Sequence, residues 1–209
     1  MFFGSSITTM VATLLAVLLA ITFHETAHGF VAYKLGDPTA KNQGRLTLNP
    51  LAHLDPVGAL LMFVAGFGWA KPVPVNPFYF NGDRTKGMML VSVAGPVTNL
   101  VLSFISYFIY IAGNGFMTIP FLQVFLTQMI VLNIYLAIFN LIPIPPLDGS
   151  KILAGFLPKA AAYKYLTTVE QYGFLILMVL IIFNITDMIL VPAANWVLNL
   201  MELILFAIF

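Results

Sequence analysis

The chain contains no cysteine. Disulfide frameworks and thiolate metal sites are therefore excluded, and any bound metal must be held by His, Asp or Glu. Charge is also scarce. Asp, Glu, Lys and Arg make up 8% of the 209 residues, against about 25% in an ordinary soluble protein. No charged residue lies between Gly87 and Leu147, and no Lys or Arg precedes Lys34 or follows Lys164. So little polar surface cannot face water all round, and the 60% hydrophobic content needs lipid as its solvent. The net charge of +1 points to no polyanionic partner and no nucleic acid. The amino-terminal apolar run has no basic leader before it and is read as a retained span, not a signal peptide.

What is present is a series of long apolar runs. A span needs about 20 such residues, and the runs fall at about Ile7–Tyr33, Met88–Ala112, Phe121–Ile142, Tyr172–Phe183 and Met188–Phe209. The fourth is short and is extended back toward Val169. The expected architecture is an all-α polytopic membrane protein of about five transmembrane helices, residues 1–209 forming a single integral membrane domain. A small membrane-associated β or re-entrant region is expected at residues 40–80. There Arg45-Leu-Thr-Leu-Asn49 alternates polar and apolar, Lys71-Pro-Val-Pro-Val-Asn-Pro77 cannot be helical, and Val57–Ala70 is apolar but only 14 residues long. Arg45–Asn49 or the stretch from Val57 is expected to offer an open strand edge to an extended peptide.

All nine Lys and Arg fall within Lys34–Lys86 or Lys151–Lys164. Five spans put both regions on one side, which the positive-inside tendency makes cytoplasmic. The expected location is the cell membrane, multi-pass, with the amino terminus outside and the carboxyl terminus cytoplasmic.

The chemistry centres on His24-Glu25-Thr26-Ala27-His28. Helical residues four apart share a face, so both imidazoles can reach one metal ion, with Glu25 beside a metal-bound water. Ionisable residues within a span are costly and usually functional. A catalytic zinc site takes three protein ligands and an open position. The third candidate is Asp148, the only acidic residue between Lys86 and Glu170. It follows the third span, which descends to the same side as the end of the first. A Pro-Pro-x-Asp-Gly turn explains Asp148 by backbone preference alone, but leaves the two-histidine site unfinished. His53, the remaining histidine, reads as a structural hydrogen-bonding residue, with contact to substrate or to the zinc surroundings left open. Asn133 reads as packing.

With His24–His28 and the later Asn140, Pro143, Asp148 and Gly149 in order, the chain resembles the site-2 protease family of intramembrane zinc metalloproteases. Gly44–Asp55, Ala70–Asn76 and Gly95-Pro96-x-x-Asn99 are similar to further segments of that family, particularly its small microbial forms without a PDZ or nucleotide-sensing domain. The resemblance implies one Zn²⁺ per chain on His24, His28 and Asp148. It implies Glu25 as general base on zinc-activated water, and Asn140 holding the substrate carbonyl or its oxyanion. It further implies transmembrane proteins or peptides as substrates and the lipid bilayer as surroundings, and leaves the oligomeric state unknown. Two alternatives stand beside it. One is a membrane protease with a glutamate third ligand, for which Glu170 and Glu202 show no second metal-binding pattern. The other is a non-proteolytic zinc-binding membrane protein, a pseudoprotease or chaperone-like subunit.

Overall fold

A computed structural model describes residues 6–58, 70–113 and 118–207. Its helices are α1 (Ile7–Lys34), α2 (Thr39–Asn42), α3 (Arg84–Ala112), α4 (Pro120–Asn140), α5 (Asp148–Phe156), α6 (Lys159–Ile182) and α7 (Ile185–Phe206). Five of these, α1, α3, α4, α6 and α7, are long and apolar enough to cross a bilayer. The chain is a multi-pass helical membrane protein.

The helix ends follow local chemistry. Ser6 caps α1 by accepting from the Thr9 amide, and Asp83 caps α3 by accepting from the Thr85 and Lys86 amides. Pro120 opens α4 at a position where a missing N–H costs nothing. The fourth span begins much earlier than the apolar run suggests, at Lys159 rather than near Val169. No helix breaker lies between Lys159 and Tyr172, so the helix runs on beyond the apolar core, carrying Lys164 and Glu170 with it.

Helices α1, α3 and α4 pack closely on one another. They do so through small and polar residues, as helices in lipid must when apolar burial supplies little drive. On α1 the buried stripe is Ala12, Ala16, Ala20, His24, His28 and Ala32, all 8% exposed or less. On α3 it includes Ser92, Gly95, Asn99 and Ser103. Ser103 Oγ donates to the Ile130 carbonyl of α4 at 2.9 Å. Lipid-facing positions such as Val97, Val101 and Ile105 remain exposed. Helix α7 rests on α4 through Ile130, Ile134, Ala194 and Met201, and α6 lies beside α5 and α7.

The β or re-entrant region expected at residues 40–80 does not form among the described residues. They hold α2, two short 3₁₀ turns (Pro50–Ala52 and Pro77–Tyr79) and one isolated antiparallel bridge between Leu54 and Ala70. Most of the Val57–Ala70 stretch lies outside the described residues. Arg45–Asn49 is not a strand because side chains claim its backbone. The Thr47 carbonyl accepts from Thr26 Oγ1 and His53 Nε2, both at 2.8 Å. Asn49 and Asn76 accept from amides two residues on, closing turns where a ladder would need extended chain.

Candidate metal and catalytic centre

His24 and His28 sit one turn apart on the buried stripe of α1, where it faces α3 and α4. Their rings meet edge to face, with centroids 4.6 Å apart and planes at 86°. Asp148 reaches them from the first residue of α5. The chain leaves α4 at Asn140 and turns through Pro143, Pro145 and Pro146 before α5 begins. A Cβ at Gly149 would stand 2.3 and 2.4 Å from the Leu141 and Ile142 carbonyl oxygens. Only glycine lets α5 start directly against the end of α4, and this brings Asp148 to the depth of the histidines. The Asp-Gly pair is thus a close-approach device rather than a turn preference.

The three side chains converge through single atoms. Asp148 Oδ2 lies 3.2 Å from His24 Nε2 and 3.1 Å from His28 Nε2. Each ring uses its other nitrogen elsewhere: His24 Nδ1 bonds to Asn99 Oδ1, and His28 Nδ1 to the Val91 carbonyl at 2.7 Å. A carbonyl only accepts, so His28 carries its proton on Nδ1 and presents a bare Nε2. Asp148 Oδ2 is buried with no hydrogen-bond partner. Converging acceptors with no donor between them are a cation site. Atoms bound tetrahedrally to one zinc at about 2.0–2.1 Å lie about 3.3 Å apart, so the spacing fits that ion. The donor set, two imidazoles and a carboxylate, fits it as well.

Space for both rings comes from α3. A Cβ on Gly95 would fall 2.6 Å from His24 Cε1, His24 Nε2 and His28 Cε1. The sequence singled out Gly95 only as part of a family-like segment, because its role depends on how closely α1 and α3 approach.

Glu25 is half-buried beside the cluster. Its Oε2 accepts from the Val73 amide at 2.8 Å. Val73 lies in an extended strap, Lys71–Asn76, that crosses the site. The strap is tied at both ends: the Lys71 amide donates to the His53 carbonyl at 3.0 Å, and the Asn76 amide to Asp37 Oδ2 at 2.6 Å. Arg45 Nη2 also donates to the Lys71 carbonyl at 2.7 Å. Pro72 and Pro74 have no amide hydrogen, so between the two anchors Val73 presents its N–H flanked by residues that cannot compete for Glu25. Residue types alone gave no sign of this, since the donor is a backbone group.

Two cavities meet at His24, Glu25 and Asn140. One of about 360 Å³ also reaches His28, Asp148 and Lys151. The other, of about 340 Å³, runs between apolar residues of α1 and α4, among them Val17, Ile21, Leu132 and Phe139. Asn140 thus borders the cluster, and its Nδ2 donates to the Leu136 carbonyl at 2.9 Å. An amide nitrogen has a second proton for another partner. His53 is almost fully buried, and its Nε2 donates within the loop to the Thr47 carbonyl, which Thr26 Oγ1 ties to α1. It lies outside the group of metal-capable side chains, which comprises His24, His28 and Asp148 among the described residues.

Comparison with known proteins points to one family of peptidases. The sequence pattern of peptidase family M50 matches residues 117–183, the part of the chain that carries Asn140 and Asp148. "Putative zinc metalloprotease YwhC" of Bacillus subtilis is 47% identical over 180 residues, covering 83% of this chain and 81% of that protein. "Putative zinc metalloprotease Rip2" of Mycolicibacterium smegmatis is 31% identical, over 78% of this chain and 63% of its own length. "Putative zinc metalloprotease MJ0611" of Methanocaldococcus jannaschii is 29% identical, over 71% of this chain and 72% of its own. No solved structure matches the chain.

Proposed function

This chain belongs to peptidase family M50, the site-2 protease family, and from that premise we propose that it is an intramembrane zinc metalloendopeptidase. Its substrates are transmembrane proteins or peptides, cut in or near their membrane segments. The observation that carries this reading is the convergence of His24 Nε2, His28 Nε2 and the unsatisfied Asp148 Oδ2 beside Glu25, at the end of an apolar cavity between α1 and α4. One zinc ion per chain on those three atoms would supply Lewis acidity and lower the pKa of a water held there. Glu25 would take the proton of the attacking water as its oxygen adds to the peptide carbonyl carbon, and would deliver it to the departing nitrogen as the C–N bond breaks. The Val73 amide holds Glu25 in place while leaving its second oxygen for this work. Asn140, bordering both cavities, steadies the carbonyl oxygen with its remaining amide proton.

The apolar cavity suits a substrate arriving from the bilayer. Nine basic residues on one side of five spans support an outside amino terminus and a cytoplasmic carboxyl terminus. Reporters fused after Lys41 and Lys159 should then read cytoplasmic, and one near Asn114 external.

The test of function is cleavage of a labelled transmembrane substrate by the purified protein and by Glu25→Gln. The amide side chain still accepts from Val73, so fold and zinc content should persist, while cleavage falls about 10²–10⁴-fold. Wild-type cleavage by Glu25→Gln would remove Glu25 as the base. A wild-type protein that holds zinc and cuts no membrane substrate would favour the non-proteolytic reading.

A further inference from the structure

Beyond the three convergent atoms, a chain of amides runs from His24 into the apolar interior. Asn99 on α3 and Asn133 on α4 are both completely buried. An amide left unpaired at that depth has no water to bond to, so each of its bonds is consequential.

The direction of every bond follows from two groups that can only accept. The Met129 carbonyl accepts from Asn133 Nδ2 at 2.7 Å. Asn133 Oδ1 must then face the other way, where it accepts from Asn99 Nδ2 at 2.7 Å. The Ala20 carbonyl of α1 accepts from the same Nδ2 at 3.2 Å. Both protons of the Asn99 amide are thereby used, and its Oδ1 is turned onto His24 Nδ1. An amide oxygen cannot donate. His24 must therefore carry its proton on Nδ1 and leave Nε2 bare, facing Asp148.

We propose that Asn99 and Asn133 are positioning residues that set the tautomer of His24. Asn99 acts on the ring directly. Asn133 does not touch His24; it acts, together with the Ala20 carbonyl, by fixing which end of the Asn99 amide faces the ring. His28 gets the same result from a single backbone carbonyl, that of Val91. His24 gets it from a side chain that has two possible orientations, and the choice falls to the acceptors behind it, the Ala20 carbonyl at 3.2 Å and the closer Asn133 Oδ1 at 2.7 Å. Simple interhelical adhesion, the usual role of buried asparagines in membranes, would hold the helices together whichever way the Asn99 amide faced.

The consequence for zinc rests on the reading of the site given above, but the tautomer does not. The test therefore uses the full-length chain in lipid nanodiscs, ¹⁵N-labelled at histidine and stripped of metal by chelator. His24 in the wild type should show a protonated Nδ1 and a bare Nε2. In Asn133→Leu the Asn99 amide keeps only its longer bond to the Ala20 carbonyl, at 3.2 Å, and His24 should become a mixture of tautomers. Zinc affinity, read by chelator competition, should fall about 10–100-fold, the usual cost of losing a partner behind a metal ligand. Asn133→Asp should restore both readouts, since a carboxyl group still accepts from Asn99. A wild-type His24 protonated on Nε2 would overturn the proposal without any variant, even if Asn133→Leu fails to fold. So would an Asn133→Leu protein with the wild-type tautomer and wild-type zinc affinity. Neither readout needs a substrate, so failure to cut would count against the protease reading alone.

Discussion

The most apolar windows of α1, α3 and α4 have mean hydropathies of 2.0, 1.8 and 1.9, and those of α6 and α7 have 1.7 and 1.8. By that measure the two sets are alike. Their burial separates them. A third of each window is buried in the first set, against 11% in α6 and 22% in α7. The buried residues differ in kind as well. The first three helices turn His24, Ser92, Asn99, Ser103 and Asn133 inward, whereas α7 buries Leu190, Ala194, Met201 and Leu205, with Thr186 its one buried polar residue among the described residues. Equal hydropathy thus conceals two designs. One set buries polar groups that need one another and so fixes a unique register. The other offers lipid-compatible surface and leans on the first.

That contrast predicts where substitutions hurt, and Gly95 should be the most sensitive point. In Gly95→Val the new Cβ alone would lie within 2.6 Å of both imidazoles. The rings cannot yield without losing their convergence on Asp148. We expect zinc affinity to drop by more than about 100-fold, since the ligands themselves are displaced rather than their partners, and cleavage to vanish with it. Trp196→Leu on α7, where the tryptophan is 67% exposed, should leave both unchanged. Comparable zinc loss in the two variants would break the distinction between the helix sets.

Next in size is Val73→Pro, which removes the hydrogen bond to Glu25 while retaining an extended strap among neighbouring prolines. A hydrogen bond to a charged group contributes about 1.5–3 kcal/mol, so cleavage should fall about 10–100-fold with zinc still bound. A cleavage rate equal to wild type would show that the strap does not position Glu25.

How much of this was legible follows the same division. His24, Glu25, His28 and Asp148 stood out because ionisable residues are rare in so apolar a chain, and the helical period alone puts the two histidines on one face. The long apolar runs located the spans for the same reason. The roles of Gly95 and Gly149 were hidden, because each depends on the distance between two helices. Asn133 read as packing because nothing local connects it to Asn99, 34 positions away. The 40–80 region misled because alternation suggested a strand. Side chains instead satisfy its backbone: Thr26 and His53 reach the Thr47 carbonyl from 21 and 6 positions away, and Asn49 and Asn76 close local turns. The start of α6 was missed because hydropathy marks where a helix is apolar, not where it begins.

The second helix set is not wholly passive, and Gly173 measures its contribution. A Cβ there would meet the Pro145 carbonyl oxygen at 2.2 Å, and the Tyr165 hydroxyl donates to the Pro143 carbonyl. Helix α6 therefore braces the proline loop that leads to Asp148. Backbone cannot move aside as a side chain can, so Gly173→Ala should push α6 outward. Overpacking of this kind typically costs about 1–3 kcal/mol. The variant should lose thermal stability and several-fold in zinc affinity, much less than Gly95→Val. An unaltered zinc affinity would confine α6 to a structural role.

The smallest effect should come from the exposed ion pair joining the two sets, Lys159 Nζ to Asp83 Oδ2 at 3.2 Å. Bonds from the Lys86 amide and then from Lys159 hold the Asp83 carboxyl below its ordinary range. A carboxyl depressed on folding stabilises the native state above its unfolded pKa. That contribution is lost as pH falls through the lower, folded value. Asn is as good a helix cap as Asp, so Asp83→Asn should keep the amide bonds that begin α3 and lose only the charge. Exposed pairs contribute little and are screened by salt, and we expect a melting temperature lower by about 1–2 °C near neutral pH. The difference from wild type should shrink as the solution is acidified past the carboxylate range, and again in high salt at neutral pH. A difference that persists under both conditions would mean that the Asp83 contribution is not electrostatic, and that the two helix sets are joined there by shape alone.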